Sequence, residues 1–463
     1  MDLFRKKAIM PTGTSGMKKE LKTKDLIFLG IGAIIGTGIF VVTGEAAQAY
    51  AGPALSLSFL LAAVVVVLSG LCFAEFASRV PALGGPYAYM YIVFGEFIAW
   101  LAGWFLILEF MLAVSSVASG WSGYVRGFLT SLDIQLPQFL SGAYNSQNGT
   151  YVDLIAVLVL IFVTWWVSLE AKKALRLNNL MVYVKFAIIA LFIILGVFFV
   201  KPENWVPFMP MGVSGVIDGA ALVFFAFLGF DAVAMAAEEV KNPQKDIPRG
   251  IIGSIAIATV LYIIVTLILT GIVPFTELGV QDPVAFAMRY VGHGVVGSII
   301  SVGAILTLLS VTIAMMYSLA RLLFAISKDG LLPKKMGLID SKHRTPKNAT
   351  IAAGVVAMFF AGIFPLSILA ELTNIAALSH LLLMAFGILR LNKVIGPAKP
   401  GEFKVPFGPI LPILSIIFSI VLMLRFQAIT WIVYGIAIVI GLIIYFGYGY
   451  QHSVLVLEQK ENE

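Results

Sequence analysis

Twelve apolar runs, each near the length a helix needs to cross a bilayer, divide this chain of 463 residues. They lie near 26–49, 53–77, 97–128, 153–169, 178–200, 216–239, 250–273, 297–326, 348–364, 366–390, 407–424 and 428–448. An unpaired backbone amide or carbonyl in lipid costs several kcal/mol, so runs of this length are read as helices that satisfy their own backbone. With 60% hydrophobic and only 12% charged residues, no soluble domain of this make-up would stay in solution. The expected fold class is therefore an all-α polytopic membrane protein.

The ends and loops give an orientation. Residues 1–25 are polar and carry seven Lys or Arg before the first run, with no apolar core and cleavage site, so no removable signal peptide is read there. If this tail is cytoplasmic, 26 of the 31 basic residues fall on the cytoplasmic side, and only Arg126, Lys201, Arg289 and Arg425 fall outside. That satisfies the positive-inside rule and places both termini in the cytoplasm of a cell bounded by this plasma membrane. The net charge of +6 then reflects contact with the anionic inner leaflet. No nucleic-acid-binding face is present in the sequence. A single cysteine, Cys72, excludes an intramolecular disulfide. The longest expected outer loop, 131–152, carries one sequon at Asn148 that has no weight in a bacterial chain.

Two runs are interrupted at mid-length by glycine. The first reads Gly30-Ile31-Gly32-Ala33-Ile34-Ile35-Gly36-Thr37-Gly38-Ile39-Phe40, and the second, in the sixth run, reads Phe225-Ala226-Phe227-Leu228-Gly229-Phe230-Asp231. Irregular backbone at membrane depth is tolerated only where protein packs around it or where it lines a polar cavity, and paired interruptions in matching halves point to a transporter's binding site. Five runs precede about Lys201 and five follow, each group opening on an interrupted run. Because five is odd, the second group enters from the opposite side and the repeats are inverted. The expected organisation is an N-terminal tail (1–25), a first repeat (26–200), a second repeat (201–395), two further helices (396–450) and a C-terminal tail (451–463).

A helix that stops and restarts leaves unpaired amides on the restarting half, with a positive dipole end. Thr37 and Gly38 could thus receive a carboxylate. The carbonyls freed near Ile34, Phe225, Ala226 and Leu228 could accept from an ammonium. Together they describe the backbone of an α-amino acid. The competing account makes Gly32 and Gly36 a small-residue packing face of an unbroken helix.

Charges at membrane depth are costly and mark function by default. Glu109 sits mid-way along the third run, Lys185 inside the fifth, and Asp231 beside the second interruption. Lys185 could instead snorkel to the interface or pair with Glu109. Glu75, Glu238, Glu239 and Arg321 fall near inner ends of runs, as headgroup-facing charges or gate pairs. His380, alone in an apolar run, reads as a hydrogen-bonded packing residue. The strings Gly120-Trp121-Ser122-Gly123 and Gly212-Val213-Ser214-Gly215 imitate a serine-protease pattern that arises freely among small membrane residues. Zinc, phosphate-loop and cysteine-pair motifs are absent, so no enzyme, metal or cofactor is expected.

The first interrupted string, Ala51-Gly52-Pro53-Ala54, Pro81 through Tyr89, Phe225 through Pro248 and Ser327 through Pro333 resemble the amino acid-polyamine-organocation superfamily, and the last two segments its cationic amino acid transporter subfamily with bacterial ApcT-like members. The resemblance spans nearly the whole chain. It implies a LeuT-type fold of two inverted five-helix repeats with broken helices 1 and 6, plus two further helices, working by alternating access. It also implies that Thr37 and Gly38 hold the substrate carboxylate, that Ile34, Phe225, Ala226 and Leu228 hold the ammonium, and that Phe225 gates the site. Met315 would floor the side-chain pocket, with Glu109 and Asp231 beyond it. In sodium-driven relatives a cation sits between the first and eighth helices. Lys185 matches the lysine that replaces it in proton-coupled members, with carbonyls near Gly32 and Ile35 as its partners, so no sodium site is expected.

The function expected is import of L-amino acids with protons by a monomer, small neutral ones favoured because Met315 is bulky. A small membrane subunit is compatible with this reading. A cationic amino acid carrier or exchanger is the alternative in transport, and a non-transporting amino-acid sensor the alternative outside it.

Overall fold

A computed structural model describes residues 3–6, 21–80, 85–134, 136–235, 240–343 and 345–457, with 170–179 and 235 followed along the backbone only. Glu238, Glu239 and the 81–84 part of the family-like string lie outside the described residues. Among those described there is no strand, only three isolated backbone bridges. Among the described residues the protein is all-helical, with eight helices long and apolar enough to cross a membrane and three shorter apolar ones.

The main helices are α1 (Thr23–Ile34), α2 (Leu55–Arg79), α3 (Glu96–Thr130), α4 (Leu154–Gly196), α5 (Gly212–Val223), α6 (Pro243–Ile272), α7 (Gly294–Lys328), α8 (Lys347–Ile363), α9 (Leu366–Ile395), α10 (Ile410–Met423) and α11 (Ala428–Ile444). The twelve apolar runs map onto these helices without a one-to-one match. The first run is divided after Ile34 and resumes as a helical stretch from Gly38 toward α2. The fourth and fifth runs, conversely, share the helical stretch of α4. Its two portions pack differently: Thr164 lies against Gly354 of α8, whereas Ile188 lies against Gly303 of α7 and Gly196 against Ile268 of α6.

Local chemistry fixes the ends. The Asp25 carboxylate accepts from the Lys22 N–H at 2.9 Å, an acidic group at the positive end of α1. Asp153 caps α4 by accepting from the Ala156 N–H at 3.1 Å. The same carboxylate takes the Ser122 hydroxyl and, at 3.0 Å, the Arg126 guanidinium, so α3 and α4 are joined where one ends and the other begins. α6 opens with Pro243 at its first turn, where a missing N–H costs nothing. At the far end of α2, Arg79 bonds Glu75 at 2.7 Å, Asn392 at 2.9 Å and the Gly396 carbonyl at 2.6 Å, while Glu75 accepts the Val405 N–H. This buried knot ties α2 to the connection between α9 and α10.

The core is a single apolar mass in which α3 packs on α7 and α9, α2 on α6, α4 on α7 and α8, and α1 on α6. The two interrupted segments lie inside it.

Candidate functional site

Both glycine-marked segments are broken helices. α1 makes its last regular bond from the Ile35 N–H to the Ile31 carbonyl at 2.9 Å, and Ile35 then leaves helical space at φ −74°, ψ 110°. Helical bonding resumes from Gly38. α5 passes into a tight turn over Phe224–Phe227, Leu228 is extended, and Gly229 takes φ +103°, a conformation that only glycine adopts freely. Helix resumes at Ala232.

The breaks touch each other. A side-chain carbon on Gly38 would lie 2.2 Å from Ala226 Cα, and one on Gly229 would lie 3.0 Å from the Ala33 carbonyl. Between them stands Tyr262 of α6, whose hydroxyl lies 3.0 Å from the Ile34 carbonyl and 2.8 Å from the Ala226 carbonyl. One phenol thus reaches an unpaired carbonyl from each break. Asn374 of α9 supports the second break from behind by donating to the Ala221 and Leu222 carbonyls at 2.8 and 3.0 Å. Sequence reasoning passed over both residues. The available signal was a phenol and an amide buried in apolar runs, each of which must find backbone partners there.

Lys185 is 1% exposed and donates to the Gly32 carbonyl at 2.7 Å, two residues before the end of α1. Its buried head is therefore aimed at the first break and away from the lipid interface. Gly32 also lets α4 pack closely on α1, since a side-chain carbon there would meet Val182 at 3.0 Å. Glu109 is not its partner. The Glu109 carboxylate lies 2.9 Å from His380 Nδ1, and the edge of Phe73 covers the imidazole.

A cavity of about 800 Å³ extends from the breaks between α1, α3 and α7. Glu109, Leu228, Asp231 and Met315 line it, together with Gly32, Ala33 and Val311. Asp231 Oδ2 is buried there without a hydrogen-bond partner among the described residues. Asp25 and Arg321 stand at the end where α1 begins, and the Arg321 guanidinium stacks 4.2 Å over the Tyr317 ring. Ile34, Thr37, Gly38, Phe225 and Ala226 are buried beside the cavity without lining it. Thr37 Oγ has no partner among the described residues.

Residues 21–445 match a family described as amino acid permease. The chain belongs to that family. This permease is 44% identical to a methylthioribose transporter of Bacillus subtilis, over 98% of its own length and 99% of the relative's. It is also 44% identical, over 98% of its length and 99% of the other's, to the branched-chain amino acid permease BcaP of the same organism. Human cationic amino acid transporter 4 matches 98% of the permease at 28% identity, over 89% of its own length. These relatives are named as permeases and transporters, and the permease is a multi-pass membrane transporter rather than an enzyme. Its resemblance to the amino acid-polyamine-organocation superfamily and its cationic transporter branch stands.

Proposed function

We propose that this permease imports a small neutral L-amino acid together with a proton by alternating access across the plasma membrane. The observation that carries the reading is the bond from buried Lys185 to the Gly32 carbonyl, because it connects a titratable group directly to the helix that ends at the first break. A charge-assisted bond is roughly twice as strong as a neutral one, so loss of the proton loosens α4 from α1 at the site itself.

The substrate carboxylate meets the unpartnered Thr37 hydroxyl and the Gly38 amide. The ammonium meets the carbonyls of Ile34, Phe225, Ala226 and Leu228, two of which already accept from Tyr262 and retain a second lone pair. Phe225 closes the site on the other side. Met315 and Leu228 form an apolar wall, which favours a neutral side chain over a cationic one. Both termini face the cytoplasm, and the cavity end at Asp25 and Arg321 is its cytoplasmic mouth. The twelve spans are two inverted repeats of five, over 26–200 and 201–395, followed by two more. No sodium site or cofactor takes part, and the monomer suffices.

A second reading, a branched-chain substrate, is favoured by the name of the BcaP relative. Uptake of alanine, valine, leucine and arginine into proteoliposomes, with and without an inward pH gradient, tests both. Gradient-driven alanine accumulation supports the proposal, leucine preference supports the second reading, and binding without uptake would leave a sensor.

A further inference from the structure

A second concavity, of about 820 Å³, shares no residue with the cavity at the breaks. Arg390 and Lys393 of α9 stand three residues apart on one helix face, and Lys6 approaches from the N-terminal segment. That segment is anchored by its backbone: the Glu96 N–H donates to the Arg5 carbonyl at 2.8 Å and the Phe97 N–H to the Leu3 carbonyl at 3.0 Å. Lys6 is therefore carried to the groove by hydrogen-bonded chain. The Arg390 guanidinium lies 5.3 Å from the Phe94 ring centroid. Among the described residues no carboxylate pairs with any of the three cations. The neighbouring acid, Glu96, is buried and already accepts from Tyr445 and Ser453.

Below the cations the wall turns apolar, with Phe386 48% and Leu389 37% exposed. Three converging like charges repel unless an anion joins them, and an apolar wall beside them suits hydrocarbon. Free phosphate satisfies only the first half. An anionic phospholipid satisfies both, and basic recesses between membrane helices are the usual shape of such sites.

We propose that this groove binds the headgroup of an anionic phospholipid, phosphatidylglycerol in kind, with an acyl chain along Phe386 and Leu389. The bound lipid bridges the N-terminal segment to α9, the helix that also carries His380 and Asn374.

The test is native mass spectrometry of the purified full-length protein titrated with phosphatidylglycerol or phosphatidylcholine. The wild type should retain one phosphatidylglycerol in preference to phosphatidylcholine. Arg390→Gln with Lys393→Gln should weaken that retention at least about tenfold. Lys399→Gln, outside the groove, should not change it. Equal retention of the two lipids, or an unchanged double variant, overturns the proposal. Millimolar inorganic phosphate displacing the lipid completely would reassign the groove to free phosphate and also overturn it. Phe386→Trp keeps every cation and covers the case of a double variant that misfolds. Its added fluorescence should be quenched by chain-brominated phosphatidylglycerol at a lower mole fraction than by brominated phosphatidylcholine, and equal quenching refutes the site.

Discussion

Replacing Tyr262 by Phe removes one oxygen and nothing else, yet that oxygen serves both breaks. The ring remains wedged between Phe59 and Phe227, with centroids 5.0 and 5.3 Å away, so no cavity larger than a hydroxyl opens. What is lost is the shared donor to the Ile34 and Ala226 carbonyls. A phenol has a single hydrogen, so the two contacts count as about one hydrogen bond, and a buried acceptor left without its donor costs about 1–3 kcal/mol. Part of that cost falls on the folded state and part on substrate affinity, because the same carbonyls are proposed to receive the ammonium. Thermal unfolding in detergent should show a clear loss of stability, and alanine affinity measured by ligand-induced stabilisation should fall about tenfold, equivalent to about 1.4 kcal/mol. If Tyr262→Phe is as stable as the wild type and binds alanine with unchanged affinity, the hydroxyl does not organise the breaks and the reasoning fails. Loss of stability with intact affinity would confine Tyr262 to a structural role.

Lys185→Ala should abolish accumulation driven by a pH gradient in liposomes of matched protein content, and a variant that still concentrates substrate only under the gradient would exclude Lys185 as the coupling residue. Gly38→Ala should already disturb folding or binding, because its new carbon would fall 2.2 Å from Ala226 Cα, and Gly38→Val should abolish alanine binding; retained binding by well-folded protein would contradict the packing. Met315→Ala, on the cavity wall, should admit larger and cationic side chains in a competition series, whereas unchanged substrate ranking with a stability loss of about 2 kcal/mol would make it ordinary packing. Asp153→Ala removes the cap of α4 and the acceptor of the Ser122 hydroxyl and of one Arg126 nitrogen, so a loss of about 2 kcal/mol in unfolding is expected, with substrate ranking unaltered.

The all-helical membrane class and both breaks were legible in the sequence because period, length and glycine are local signals, whereas the twelve runs do not map one-to-one onto the helices. The unbroken-helix account of Gly32 and Gly36 fails, though the packing it invoked is real. The helix is broken at Ile35, and the glycines also pack, Gly32 toward Val182 and Gly36 toward Val311. Partnerships across the fold were less accessible. The carbonyl near Gly32 was anticipated for Lys185, but nothing near Glu109 in the chain names His380, 271 positions later, as the group beside it. Tyr262 was passed over for the same reason. Its partners lie on two other helices, and an isolated phenol in an apolar run carries no sign of which carbonyls it will meet.

The contacts of Gly38 with Ala226 and of Gly229 with Ala33 leave no slack between the two breaks. A rotation that reshapes one break therefore presses on the other, and Ile35 and Leu228 are the extended residues at which each helix departs from regular geometry. Substitutions on opposite sides of this joint should then be strongly non-additive. A second change that relieves crowding at Ala226 could rescue a first at Gly38, and variation that alters the cargo has freer play at the cavity wall than at the joint.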